Sequence, residues 1–326
     1  MGKEIISKEP RQDKSMQQEI AFIFPGQGSQ KEGMLAELAV VHPTIQATFN
    51  EASQILGYDL WALCQNDPDN KLSLTHITQP AILTASVALW RLWLEQGGYK
   101  PALMAGHSLG EYSALVSSGI IAFEDAVMLV QKRGEFMQSA VPVGIGAMAA
   151  IVGLADADVI AACEDAAQGE VVSAVNFNSP GQVVIAGHVE AVNRAIVSCK
   201  AKGAKRALPL PVSAPFHSAL MQPAAENFAE VLKDITLHVS KIHVLQNYSL
   251  TLTSDDTELI KANLIKQIYN PVPWVETINS FEQRGVKRVI EIGPGKVLCG
   301  LNKRIAPEME ALVLNDSTNL ETTLQS

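Results

Sequence analysis

Cysteine is scarce in this chain: four among 326 residues (Cys64, Cys163, Cys199, Cys299), far apart, with no CxxC pair and no Cys/His metal-ligand spacing. That excludes a disulfide scaffold and a zinc ribbon, and reduced thiols in a cytoplasmic protein are the expectation. Positive charge is also short. Lys and Arg number 25 against 34 Asp and Glu, a formal net charge of -9, which argues against general nucleic-acid binding. A local basic patch for an acidic partner stays compatible with that total. No apolar run is long enough to span a membrane. Residues 1–18 carry no apolar core of the kind a secretory signal needs, and Ile6 stands where a myristoylation motif wants Ser or Thr. This stretch is expected to be a disordered extension. Internal repeats and low-complexity tracts are missing too.

What is present is an ordinary globular composition, 47% hydrophobic and 18% charged, long enough for two domains or for one large α/β domain with an insertion. The apolar run Ala102–Ala105 enters Gly106-His107-Ser108-Leu109-Gly110 and then the helix-forming Glu111–Val116. This is G-x-S-x-G at a strand-to-helix junction, where a sharp turn can lift a serine hydroxyl off the sheet edge toward the amides of the next helix. The pattern alone arises by chance roughly one time in ten in a chain of this length, so its surroundings decide its meaning.

Ile20–Phe24 reads as a first strand ending in Pro25-Gly26-Gln27-Gly28-Ser29-Gln30. A P-loop fails here because Met34-Leu35 stand where Lys-Ser/Thr is required, and a dinucleotide fingerprint fails because Lys31 takes the third glycine's place. A tight turn with amide donors remains. Helices are expected over 33–40, 44–56, 81–96 and 124–138, the last carrying Arg133, a residue type that on a helix usually faces solvent. The order reads as α/β with a mainly parallel sheet. Residues 144–211 then follow the order β-α-β-β-α-β, the ferredoxin-like signature, and are expected to form a small subdomain inserted into a large one made of 19–143 and 212–326.

A serine needs a base. Of seven histidines, His42, His76, His188, His238 and His243 lie in contexts that suit surface or structural roles, and His107 sits inside the turn as a packing group. His217, on the Pro-bounded loop Ala214-Pro215-Phe216-His217, is the candidate base, in the nucleophile-then-base order of the α/β-hydrolases. No acid between Ser108 and His217 presents itself as a third member, and a backbone carbonyl or an amide can orient an imidazole instead. The amides of Leu109 and Gln27 are the candidate oxyanion donors.

Together Phe24–Gln30, Gly106–Ala114, Asn176–Gln182, Phe216-His217-Ser218 and Glu291–Gly295 resemble the malonyl-CoA:acyl carrier protein transacylases, of the free-standing bacterial type, over nearly all of the chain after about residue 19. The resemblance implies an α/β-hydrolase-like core. It implies a ping-pong transfer of malonyl from coenzyme A to Ser108 and on to the phosphopantetheine thiol of acyl carrier protein, supplying fatty acid synthesis. It also implies that Arg133 holds the malonyl carboxylate and that the Gln267 backbone carbonyl orients His217. No metal and no cofactor are expected, coenzyme A being part of the substrate, and the default is a monomer. Asn247-Tyr248-Ser249 departs from the family's more usual Asn-Val-Asp. Two other readings stay open on the residues: a serine esterase or thioesterase on the same turn, and an idle carrier-protein-binding module. Lys200, Lys202, Lys205, Arg206, Lys303 and Arg304 are candidates for a basic docking patch, each equally readable as a solvated charge.

Overall fold

The computed structural model describes residues 17–212 and 214–325. β1 (Gln17–Phe24) leads through α1 (Ala36–Val41), α2 (Pro43–Leu56) and α3 (Leu60–Gln65) to the long α4 (Thr75–Glu95). β2 (Pro101–Gly106), α5 (Gly110–Ser117) and α6 (Phe123–Ser139) follow. The middle of the chain runs β3 (Gly146–Val152), α7 (Asp156–Ala167), β4 (Val172–Ser179), β5 (Gln182–His188), α8 (Val189–Ala201) and β6 (Arg206–Pro209). It then returns through α9 (Gln222–Lys233), β7 (His243–Leu245), α10 (Thr257–Gln267) and α11 (Trp274–Gln283). β8 (Arg288–Ile292), α12 (Val297–Ile305), β9 (Glu310–Leu314) and α13 (Ser317–Gln325) close it.

Five strands make a parallel sheet in the order β7-β2-β1-β8-β9, so the chain has the α/β class expected of it. A parallel sheet is covered on both faces, and its strands read as continuous apolar runs; every residue of β2 is buried. The faces separate by alternation along each strand. Phe22 and Phe24 of β1 join the cluster under α4, while Ala21 and Ile23 join the one under α11 and α12. Phe22 meets Trp90 and Trp93 edge-on, both at 5.7 Å between ring centres, and a phenylalanine buried in this way is worth about 3–5 kcal/mol over alanine.

The other four strands form an antiparallel sheet in the order β4-β5-β3-β6. One face packs on α7 and α8 around Ala149, Ile151, Val183, Ile185 and Val192. The opposite face turns Met148 and Val184 toward the large sheet, where they line a cavity beside Ser108.

Several boundaries differ from the sequence reading. Of the extension expected over 1–18, residues 1–16 lie outside the described residues, but Gln17 and Gln18 already belong to β1: Gln17 pairs with Pro101, a register shift separating it from the regular ladder that starts at Ala21, and its amide donates to the Lys100 carbonyl at 3.1 Å. Pairing to β2 carries the strand past its apolar stretch. The helix expected from 81 begins at Thr75 and takes Pro80 inside it. Burial overrides propensity there, since Thr75 and all of Ile77–Trp90 are buried. α3, β9 and α13 were not expected at all. Among the described residues no helix is long and apolar enough to cross a membrane.

Candidate active site

The turn between β2 and α5 admits no side chain at either glycine. A Cβ on Gly106 would stand 1.8 Å from the Gly110 carbonyl carbon, and one on Gly110 would stand 2.0 Å from the Phe24 oxygen. Between them Ser108 takes φ 52°, a left-handed conformation that a non-glycine residue holds only when its surroundings enforce it. Asn247, just after β7, does the enforcing. Its Oδ1 accepts the Ser108 N–H at 2.9 Å and its Nδ2 donates to the Gly106 carbonyl at 2.7 Å. His107 is a fixing group, its Nε2 2.8 Å from Asn178 Oδ1.

His217 also has a positive φ, 63°, on the loop after β6. Its Nε2 lies 2.7 Å from Ser108 Oγ and its Nδ1 2.9 Å from the Gln267 carbonyl oxygen. A carbonyl only accepts, so Nδ1 carries the proton and Nε2 is left to take the serine's. A carbonyl thus stands where a triad has its acid. Burial, and then the Arg133 charge, pull His217 down from 6.5 to about 3. The imidazole of His217 therefore stays neutral well into acid. Acylation of Ser108 by an uncharged activated ester should hold its rate constant from pH 8 down to pH 5, followed by intact mass. An inflection near 6.5, where an ordinary imidazole charges, would contradict this environment.

Arg133 on α6 does not face solvent: it is 1% exposed. Its NH1 donates to Gln79 Oε1 at 2.9 Å, and its NH2 to Gln267 Oε1 at 2.9 Å and to Ser108 Oγ at 3.0 Å. The guanidinium carbon lies 5.3 Å from the centre of the Tyr112 ring. All of these oxygens are neutral, so a buried positive charge stands beside the hydroxyl without a carboxylate bonded to it. Burial accordingly lowers the guanidinium's pKa, with Tyr112 and Glu111 opposing.

Gln27 and Leu109 line the same cavity, about 330 Å³, as Ser108, Arg133 and His217. Among the described residues neither backbone amide has a hydrogen-bond partner. Five of the six candidate residues, Ser108, His217, Gln27, Leu109 and Arg133, thus line one cavity, and Gln267 joins them from behind it through its bonds to Arg133, His217 and the Ser108 carbonyl. Sequence reasoning missed Gln79, Asn247 and the buried Glu111, whose carboxylate accepts from Gln246, Asn247 and Gln267. Of the other histidines, His188 accepts the Val171 N–H at 2.9 Å and His243 Nδ1 lies 2.9 Å from the Thr253 carbonyl, both structural contacts. Among the described residues no group of three or more His, Cys, Asp or Glu could hold a metal ion.

The acyl transferase domain family matches residues 21–308. A malonyl CoA-acyl carrier protein transacylase of Salmonella typhimurium is 57% identical over 94% of this chain and 99% of its own. An acyl carrier protein S-malonyltransferase of Vibrio cholerae, solved by crystallography, superposes with a TM-score of 0.91 at 54% identity, over 94% and 99% of the two chains. A malonyl-transacylase solved in complex with its type II polyketide synthase acyl-carrier protein gives 0.92 at 54% identity over the same shares. The chain belongs to the acyl transferase family, among its malonyl CoA-acyl carrier protein transacylases.

Proposed function

We propose that this protein transfers malonyl from malonyl-CoA to the phosphopantetheine thiol of acyl carrier protein through a malonyl ester on Ser108, and so supplies fatty acid synthesis. One observation carries the choice of acyl group: a buried Arg133 bonded only to neutral oxygens, 3.0 Å from the nucleophile. A malonyl carboxylate supplies the missing charge by a bidentate pair.

Ser108 Oγ attacks the thioester carbonyl while its proton passes to His217 Nε2. The amides of Gln27 and Leu109 receive the oxyanion. Collapse breaks the C–S bond, and coenzyme A leaves with the proton from His217. The carrier thiol then gives its proton to His217 and attacks the ester, and Ser108 leaves reprotonated. The imidazolium between these steps rests against the Gln267 carbonyl. Acyl exchange of this kind needs neither a metal nor a resident cofactor, since coenzyme A enters as part of the substrate.

The large parallel sheet, with its serine at a strand-to-helix turn, is read as an α/β-hydrolase-like core. The unit from β3 to β6, with its strand order, is read as a ferredoxin-like insertion that walls the cavity. A cytoplasmic location fits four cysteines that are all buried and unpaired.

The deciding experiment incubates the wild-type protein with malonyl-CoA and holo acyl carrier protein and separates malonyl-carrier from free malonate. Transfer should dominate; free malonate as the main product would favour the hydrolase reading instead. For the docking face, Arg304 has the better position: its NH1 donates to Gln182 Oε1 at 2.7 Å, and Gln182 lines the cavity. Arg304→Glu should raise the carrier-protein KM by about 5–10-fold at low salt and by less at high salt. Lys205→Glu/Arg206→Glu should change it less, and the reverse ranking would move the docking face to the small subdomain.

A further inference from the structure

Glu111 is a carboxylate with no exposure, three residues past the nucleophile, and the transfer steps do not use it. Its Oε2 accepts the Asn247 N–H at 3.1 Å and Gln267 Nε2 at 2.8 Å, and its Oε1 accepts Gln246 Nε2 at 3.3 Å. All three neighbours are N–H donors, so only an acceptor fits the place, and an ionised carboxylate is acceptor on both oxygens. Burial opposes that ionisation more than the three donors and Arg133 favour it, so the carboxyl stands raised to about 7.

The consequence passes through Gln267. A primary amide has two N–H donors, and both are engaged, one by Glu111 Oε2 and one by the Ser108 carbonyl at 2.9 Å. With the nitrogen held on that side, the amide oxygen can only face the opposite way, onto Arg133 NH2 at 2.9 Å. If the amide turned over, it would set N–H against N–H at the guanidinium.

We propose that Glu111 is a positioning residue: its carboxylate fixes which way round the Gln267 side-chain amide lies, and through it holds the Arg133 guanidinium where an acyl carboxylate is received. This rests on the reading that Arg133 binds the malonyl carboxylate. It assigns to the residue three places after the serine a part in acyl selectivity rather than in the attack itself. The His217 contact is independent of it, because Gln267 holds that ring by its backbone carbonyl.

The test compares kcat/KM for Ser108 acylation by malonyl-CoA and by acetyl-CoA in the wild type, Glu111→Gln, Glu111→Asp, Gln267→Leu and the Glu111→Gln/Gln267→Leu double variant. A glutamine at 111 offers one acceptor oxygen to three donors, and the conflict is relieved by turning Gln267. The malonyl-to-acetyl ratio should fall about tenfold in Glu111→Gln, through a higher KM for malonyl-CoA, with acetyl turnover little changed. Glu111→Asp, which keeps both acceptors, should restore most of the ratio. Gln267→Leu should show a similar fall, and the double variant no further one. An equal loss for both thioesters would mean that Glu111 only supports the fold, and an unchanged ratio would overturn the relay outright. Should Glu111→Gln not fold, a wild-type ratio in Gln267→Leu overturns the relay on its own. A wild type that shows no preference for malonyl would instead bring down the reading of Arg133, and the relay with it.

Discussion

With alanine in place of Ser108, no malonyl adduct should form on the protein when it is incubated with malonyl-CoA, and transfer to acyl carrier protein should fall by about 10⁴-fold or more. The prediction is clean because the change asks little of the fold. Alanine and serine share the strain of φ 52°, so the turn loses none of its shape, and Asn247 still holds the backbone on both sides. What disappears is the one atom that both His217 Nε2 and Arg133 NH2 contact, at 2.7 and 3.0 Å. The loss of those two bonds, one of them from a charged guanidinium, costs about 2–4 kcal/mol of stability, too little to unfold a domain with three extensive apolar clusters. Intact mass resolves the outcome directly. An adduct that persisted on the alanine variant would place the acyl group on another nucleophile and remove Ser108 from the mechanism.

The candidate site was legible in the sequence wherever a role depends on local geometry. Gly106 and Gly110 mark the turn because the backbone packing there leaves no room for a Cβ, and prolines around His217 placed it on a loop. Gln79 was not legible. It precedes Pro80, which looks like the start of a helix, yet α4 runs through both because almost every residue along it is buried. Glu111 reads as one more charged residue in a helix-forming run. Its burial becomes visible only when Gln246, Asn247 and Gln267, more than 130 residues away, close over it. Arg133 has the same difficulty, for a helix periodicity says which face a residue is on and not what lies opposite. In the fold, α3 did carry a signal, since Asp59 caps it by accepting the Ala62 N–H at 2.8 Å. β9 was hidden because an edge strand with only Leu314 buried shows no clear alternation, and its partner β8 had to be in place first.

Removal of the Arg133 side chain should exchange one acyl preference for another. In Arg133→Ala, kcat/KM for acylation by malonyl-CoA should drop by about 30- to 5,000-fold, while acetyl-CoA, which has no carboxylate to pair, should lose little. The size follows from a buried charge pair cut on one side, which costs about 2–5 kcal/mol, with each 1.36 kcal/mol a factor of ten. The acetyl reaction in the same preparation reports that the turn, His217 and the oxyanion amides are still assembled. A second readout comes from His217. Burial is the first cause of its low pKa and the Arg133 charge the second, so loss of the charge should lift the acid limb of neutral-ester acylation above about 3, while burial keeps it short of 6.5. The same electrostatics act in the native enzyme when substrate arrives. On the proposed reading, a malonyl carboxylate on Arg133 would cancel the charge that depresses His217, and the base would strengthen once the right acyl group is in place. Equal losses for malonyl and acetyl, with the acid limb unmoved, would show that Arg133 supports the cavity wall and does not choose the substrate.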